Sequence, residues 1–319
     1  MSAPGETPPR GPAINRAAAG ETRRGRGNDS AYDFGGPGKS DGAGPMTPAP
    51  RQVQLTVAGA PLAIETVWLN GAAADRPLAV FLHEGLGSVA LWKDWPQRLC
   101  DALGCQGLVY SRPGYGRSTP RADGERWPLD FMRHQADTVL PALLDALSVA
   151  PATRRRMLLV GHSDGASIAL WYAALFPQAL AGAVVIAPHT FVEPLTVASI
   201  AEARTAFLEG GLQTALSRYH DDVASAFWGW NEVWLDPSFL DWDMRSALGT
   251  IARPLLAVQG IDDQYGTLRQ LDAIVEQVPH ARTAALPDCR HSPHRDQSEA
   301  LNRLIADFAA GLEGWRAPT

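Results

Sequence analysis

The sequence predicts an α/β fold: a mostly parallel, doubly wound sheet with a helical cap insertion. Three observations predict it. Continuous apolar runs at 78–82, 108–110, 157–160, 183–186 and 254–258 alternate with helix-patterned stretches, as expected of parallel strands covered on both faces. The run at 157–160 passes directly through Gly161-His162-Ser163-Asp164-Gly165 into a small-residue-rich helical stretch at 166–175. The interval 189–251 breaks this rhythm: it carries helical patterning, no buried strand, and Trp228, Trp230, Trp234 and Trp242.

In chain order, residues 1–50 are too rich in glycine and proline to bury a core, so they predict a disordered tail. The tail has no apolar segment of the kind a secretory signal needs. Two readings of it are open, a flexible interaction arm or a misassigned start with translation beginning at Met46, and the second is preferred. Residues 52–58 and 62–69 read as a β-hairpin turning at Gly59. Strand 78–82 ends at His83, and 88–103 has helical spacing through Leu91, Trp95 and Leu99. Strand 108–110 is closed by the turn-rich Ser111-Arg112-Pro113-Gly114-Tyr115-Gly116. A helix over 129–147 places Leu140, Leu143, Leu144 and Leu147 on one face. Beyond the interruption come strand 254–258, helix 268–278, a short strand at 283–286 and a last helix at 299–312. The expected organisation is a tail over 1–50, a core over 51–188 and 252–316, and a cap over 189–251.

Composition excludes several function classes. The 319 residues are 45% hydrophobic and 19% charged, with a formal charge of −6. No basic cluster suggests nucleic acid, and no apolar run reaches the length of a membrane span. Cys100, Cys105 and Cys289 form neither a disulfide framework nor a metal-ligand spacing, which points to a reducing, cytoplasmic compartment. Nothing in the sequence sets an oligomeric state.

The chemistry resides in the turn around Ser163. G-x-S-x-G between a strand and a helix requires glycine on both sides, because the turn is too tight for neighbouring side chains. It projects the serine hydroxyl at the start of a helix, where N–H groups and the helix dipole favour developing negative charge. A serine hydroxyl needs a base, and the base an orienting acid. Past strand 254–258 lie Asp262 and Asp263, and His291 sits in the loop before the last helix. His294 rivals His291 as the base. His162 is expected to point into the sheet surroundings and His83 to be a structural hydrogen-bonder. His134 lies on a helix, His220 and His280 are expected exposed, and His189 is placed near the pocket.

These residues resemble the α/β-hydrolase superfamily, in its lidded branch with esterases, cofactor-free haloperoxidases and C–C bond hydrolases. The resemblance rests on His83-Glu84-Gly85-Leu86-Gly87-Ser88, Ser111-Arg112-Pro113-Gly114-Tyr115-Gly116-Arg117-Ser118, the elbow at Ser163, Gly260-x-x-Asp263 and His291. It implies Asp263 over Asp262 as the acid and His291 over His294 as the base. It implies an oxyanion hole from the N–H of Asp164 and that of Gly85 or Leu86. Glu84, Asp164 and Arg290 depart from the family's usual residues. Glu84 is expected to pair with Arg112, and Asp164 to be solvated or paired at the pocket wall; the alternative is that these acids shape substrate preference. The expected activity is hydrolysis of a carboxylic ester or related acyl compound by Ser163, His291 and Asp263, without metal or organic cofactor. A small-molecule acyl substrate is the only partner implied. Trp228, Trp230 and Trp234 are candidates for an apolar substrate wall. The alternatives are a thioesterase, a C–C hydrolase, a perhydrolase, and a non-catalytic ligand-binding member of the fold. Unpaired acids at Glu84 and Asp164 would repel the carboxylates of C–C hydrolase substrates, which weighs against that alternative.

Overall fold

The computed structural model describes residues 48–72 and 76–315. The expected tail over 1–50, with Met46, lies almost wholly outside the described residues.

Among the described residues, eight strands form one sheet: β1 (Arg51–Val57), β2 (Ala60–Leu69), β3 (Leu78–Leu82), β4 (Gln106–Tyr110), β5 (Met157–His162), β6 (Gly182–Ile186), β7 (Leu255–Gly260) and β8 (Arg282–Leu286). Their spatial order is β1-β2-β4-β3-β5-β6-β7-β8. β1 and β2 are an antiparallel hairpin in which Val57 faces Ala60. The two residues between them, Ala58 at φ 49° and Gly59 at φ 85°, both take the left-handed conformation that a tight hairpin turn demands. β2 runs antiparallel to β4, and every later pairing is parallel.

The parallel strands are apolar throughout because both faces are covered. In β3, Leu78, Val80 and Leu82 join the core on one face. Ala79 and Phe81 join the other, against Trp95, Leu99, Ile305 and Phe308. The expected helix over 88–103 is two pieces, a 3-10 turn at Ala90–Trp92 and a helix at Trp95–Leu103, broken by Lys93 at φ 56°. The one expected over 129–147 begins at Phe131–His134, widens into a π turn at Gln135–Val139, and ends as Leu140–Ala146.

Between β6 and β7 the chain builds the helical cap. Its main helices are Pro194–Leu208, Gly211–Leu216 and Val223–Trp234, the last started by Asp222, whose side chain accepts from the Ser225 N–H. Phe207 and Phe227 stack with centroids 3.7 Å apart and so join two of these helices. Among the described residues, no helix is long and apolar enough to cross a membrane.

Candidate active site

Ser163 caps β5 and begins the helix Asp164–Leu175. Its backbone lies at φ 54°, ψ −119°, and its N–H donates to the Ile186 carbonyl at 2.9 Å. The flanking glycines are dictated by space. A Cβ on Gly161 would lie 2.2 Å from the Gly165 carbonyl oxygen, and one on Gly165 would lie 2.0 Å from that of Leu82. The turn therefore closes only without side chains at both positions.

Asp263 follows β7. Its Oδ1 accepts from the Tyr265 N–H at 2.8 Å and its Oδ2 from Gln259 Nε2 at 3.2 Å. The loop after β8 lies directly against the end of β7, because a Cβ on Gly260 would meet the carbonyl oxygens of Cys289 and Arg290 at 2.1 and 2.3 Å. That contact delivers His291 to Asp263. His291 Nδ1 lies 2.8 and 3.0 Å from the two Asp263 oxygens, and Nε2 lies 3.0 Å from Ser163 Oγ. Nδ1–H donating to the carboxylate leaves Nε2 to accept from the serine hydroxyl. All three residues are buried, whereas Asp262 is exposed. Burial pulls the His291 pKa down, but the charge and hydrogen bond of Asp263 outweigh it and the net shift is upward. Burial pushes Asp263 up, and His291 reverses this, leaving the carboxyl below its ordinary value. The arrangement can move a proton from Ser163 to His291 and hold the resulting imidazolium.

Gly85, Leu86 and Asp164 line the same cleft as Ser163 and His291. The loop after β3 is fixed by two buried neutral histidines. His83 Nε2 accepts from the Arg112 N–H at 3.0 Å, so its Nδ1–H donates to the Glu84 carbonyl at 2.7 Å. His220 Nδ1 accepts from the Gly116 N–H at 2.9 Å, so its Nε2–H donates to the Leu86 carbonyl at 3.0 Å. His220 is thus 4% exposed, contrary to the expectation from sequence, and burial pushes its pKa down to about 4.

The two unusual acids are both beside cations or potential cations. Asp164 is fully buried. Its Oδ1 accepts from Trp234 Nε1 at 3.1 Å, and its Oδ2 lies 3.5 Å from Arg112 Nη2. Burial raises its pKa against the opposing effect of Arg112. Glu84 does not pair with Arg112 as expected. Arg112 donates to the Glu84 main-chain carbonyl at 2.8 Å, while the Glu84 carboxylate lies 2.9 Å from His162 Nδ1. His162 is correspondingly not directed only at sheet neighbours: its Nε2 lies 2.7 Å from the His291 carbonyl oxygen.

Of the cap tryptophans, Trp230 and Trp234 line the cleft, and Trp230 packs so closely on Gly85 that a Cβ there would lie 2.1 Å from the indole nitrogen. Trp228 does not line it. It packs edge-on against Phe207 and Phe227, with the Arg204 guanidinium over its ring. A solvent-facing helix position would waste that aromatic area, and cap packing uses it instead. His294 sits apart from Ser163, with its ring against Trp92 and Trp95. His189 lines the cleft, and burial lowers its pKa to about 3. Nothing in the sequence pointed to Ile200, Gln264, Tyr265 or Arg295, which also line the cleft. Gln264 and Tyr265 follow Asp263 directly, and that proximity was the available signal.

Comparison with known proteins agrees with this architecture. The chain is 22% identical over 273 residues to the 2-hydroxy-6-oxo-6-phenylhexa-2,4-dienoate hydrolase of Burkholderia cepacia, covering 76% of this chain and 91% of that one. It is 20% identical over 267 residues to a 2-hydroxy-6-oxononadienedioate/2-hydroxy-6-oxononatrienedioate hydrolase of Comamonas testosteroni, covering 75% and 89%. Among solved structures, the enol-lactonase of Burkholderia xenovorans superposes with a TM-score of 0.61 at 17% identity, over 81% of this chain and 99% of that one. Residues 79–304 match the family model described as the alpha/beta hydrolase family, a span that runs from β3 through the elbow and the cap into the last helix. The chain therefore belongs to the alpha/beta hydrolase family.

Proposed function

We propose that this protein is a serine hydrolase that cleaves the bond beside a carbonyl carbon, and that the bond is carbon–carbon. The observation that carries the first part is the buried run from Ser163 Oγ through His291 to Asp263, with 3.0 and 2.8 Å between successive partners. Ser163 attacks the carbonyl while His291 Nε2 takes the hydroxyl proton. Asp263 holds the imidazole in the required tautomer and stabilises its charged form. The N–H groups of Asp164 and of Gly85 or Leu86 stabilise the oxyanion, where losing one donor costs about 3 kcal/mol of barrier. The tetrahedral adduct collapses as the bond to the leaving group breaks, and His291 returns its proton to that group. Water activated by the same imidazole then hydrolyses the acyl-serine.

Two points support the carbon–carbon reading. The two relatives described above are named for 2-hydroxy-6-oxo dienoates, compounds with no ester or amide, so water can divide their skeleton only at a carbon–carbon bond next to the 6-oxo group, whereas another relative, 28% identical over 258 residues, is named a putative carbamate hydrolase. The objection that Glu84 and Asp164 would repel such carboxylates also weakens, since His162 stands beside one and Arg112 beside the other. Ester hydrolysis is the second reading. It is favoured by the Glu84 side chain, which is 23% exposed at the cleft and suits an uncharged substrate better than an anionic one. Incubating the protein with a 2-hydroxy-6-oxo-dienoate and, separately, with p-nitrophenyl esters tests both. Loss of the dienoate with release of a carboxylic acid, abolished by Ser163→Ala, is the expected result. Turnover of the esters alone would replace the first reading by the second.

A further inference from the structure

We propose that Glu84 and His162 are positioning residues: a half-buried ion pair that fastens the oxyanion loop to the main chain of His291. The proposal rests on the reading of Ser163, His291 and Asp263 as the reacting relay.

The hydrogen-bond geometry of His162 carries it. The ring is 1% exposed, and an acceptor faces each of its nitrogens: the Glu84 carboxylate at Nδ1, 2.9 Å away, and the His291 carbonyl oxygen at Nε2, 2.7 Å away. A carbonyl oxygen can only accept, so Nε2 carries a proton. A neutral imidazole would then have a bare Nδ1, which could face Glu84 only if the carboxyl were protonated. Burial alone would favour that, but the attraction of His162 outweighs it and holds the Glu84 carboxyl well below its ordinary range. The Glu84 carboxylate and the His291 carbonyl oxygen are both acceptors, so the geometry sets both ring nitrogens to donate.

The connectivity gives the pair its role. Glu84 precedes Gly85 and Leu86, and its carbonyl is gripped by His83 and Arg112. His162 precedes Ser163. The carbonyl it holds is that of His291 itself. One charged ring thus ties together the oxyanion loop, the nucleophile's strand and the base. Each is delivered by a different part of the chain: Glu84 and His162 lie 78 positions apart, and His162 and His291 lie 129 apart. Positional error between such groups is costly, since a displacement of about 1 Å can lower a rate about 100-fold. Aspartate at position 84 would be too short to span the same gap, and glycine would leave a buried imidazole with one unmatched nitrogen.

The experiment compares Glu84→Gln, Glu84→Leu and His162→Phe in the full chain, with Ser163→Ala in parallel. A glutamine amide can donate to a bare Nδ1 while Nε2–H still donates to His291, so Glu84→Gln keeps both bonds without either charge. Glu84→Leu is expected to lower kcat about 100-fold with KM little changed, and Glu84→Gln to recover most of the loss. The double variant Glu84→Leu/His162→Phe is expected to be no slower than the worse single variant, because both remove one unit. In protein labelled with 15N in its histidine rings, His162 is expected to show two protonated ring nitrogens in the parent and one in Glu84→Gln. The proposal is overturned if Glu84→Leu folds and keeps kcat, if it changes KM alone, or if His162 shows one ring proton in the parent. Should Glu84→Leu fail to fold, the ring-proton comparison decides. Turnover by Ser163→Ala would sink the relay reading instead, and would leave the two ring protons of His162 where they are.

Discussion

Trp234 donates its indole N–H to Oδ1 of Asp164 across 3.1 Å, and Asp164 is the residue that follows Ser163. The cap is thereby bonded to the turn that carries Ser163. Both partners are almost fully buried, so the bond has no water to replace it. Trp234→Phe keeps most of the ring and removes the donor. The variant is expected to lose about 2 kcal/mol of stability, the order of cost for a buried acceptor left without its partner. Urea unfolding of the two proteins measures it, and an unchanged midpoint would refute the bond's contribution.

The pH dependence follows from His291. In the proposed mechanism it accepts the serine proton only when neutral, and its pKa lies above the ordinary histidine value despite burial, because Asp263 favours the charged form. Protonation therefore persists to higher pH than in a free imidazole. The acid limb of kcat/KM is expected to have its midpoint above 6.5, with activity rising as pH increases through it. Replacing Asp263 by asparagine removes the raising influence and is expected to move the midpoint down.

The two neighbouring aspartates should separate cleanly. Asp263→Asn is expected to reduce kcat by roughly ten-thousand-fold, since an amide can donate to Nδ1 and favours the wrong imidazole tautomer. Asp262→Asn alters an exposed side chain and is expected to leave kcat within about twofold, as surface changes usually do. An organophosphonate that labels the parent should fail to label Ser163→Ala.

The cap tryptophans divide by position. Trp230→Ala is expected to raise KM with kcat little changed, because a wall holds substrate and transition state about equally. Trp228→Ala is expected to lower the melting temperature and leave KM alone, because Trp228 packs on Phe207 and Phe227. Steady-state kinetics with thermal unfolding on each variant distinguishes the two.

What could be read from the sequence was what is local. β3 was legible to the residue, because a five-residue apolar run between Pro77 and His83 is too short for a helix, and G-x-S-x-G marked the elbow because the clash of Gly161 with Gly165 is local, although Gly165 also packs on the distant Leu82 carbonyl. The break at Lys93 and the π turn at Gln135–Val139 were invisible, since hydrophobic spacing hardly changes when one residue adopts φ 56° or one turn widens. His220 was read as exposed because the groups that bury it, Gly116 and Leu86, lie 104 and 134 residues away. The partner of Glu84 was misread for the same reason. Arg112 does approach that residue, but its guanidinium meets a carbonyl there, and its ionic partner is Asp164.

Ser163 occupies a backbone conformation that a residue with a Cβ adopts at a cost of about 1–3 kcal/mol. Glycine would relieve most of that cost, and the extra freedom it gives the unfolded chain offsets only about 1 kcal/mol of the gain. Ser163→Gly is therefore expected to melt at or above the temperature of the parent while losing all turnover, whereas Ser163→Ala keeps the strained turn and gains nothing. Heat tolerance and chemistry thus pull in opposite directions at one position. A population of this gene screened only for thermal survival would accumulate glycine at 163, and the appearance of that one change would mark the moment at which selection for activity had been lifted.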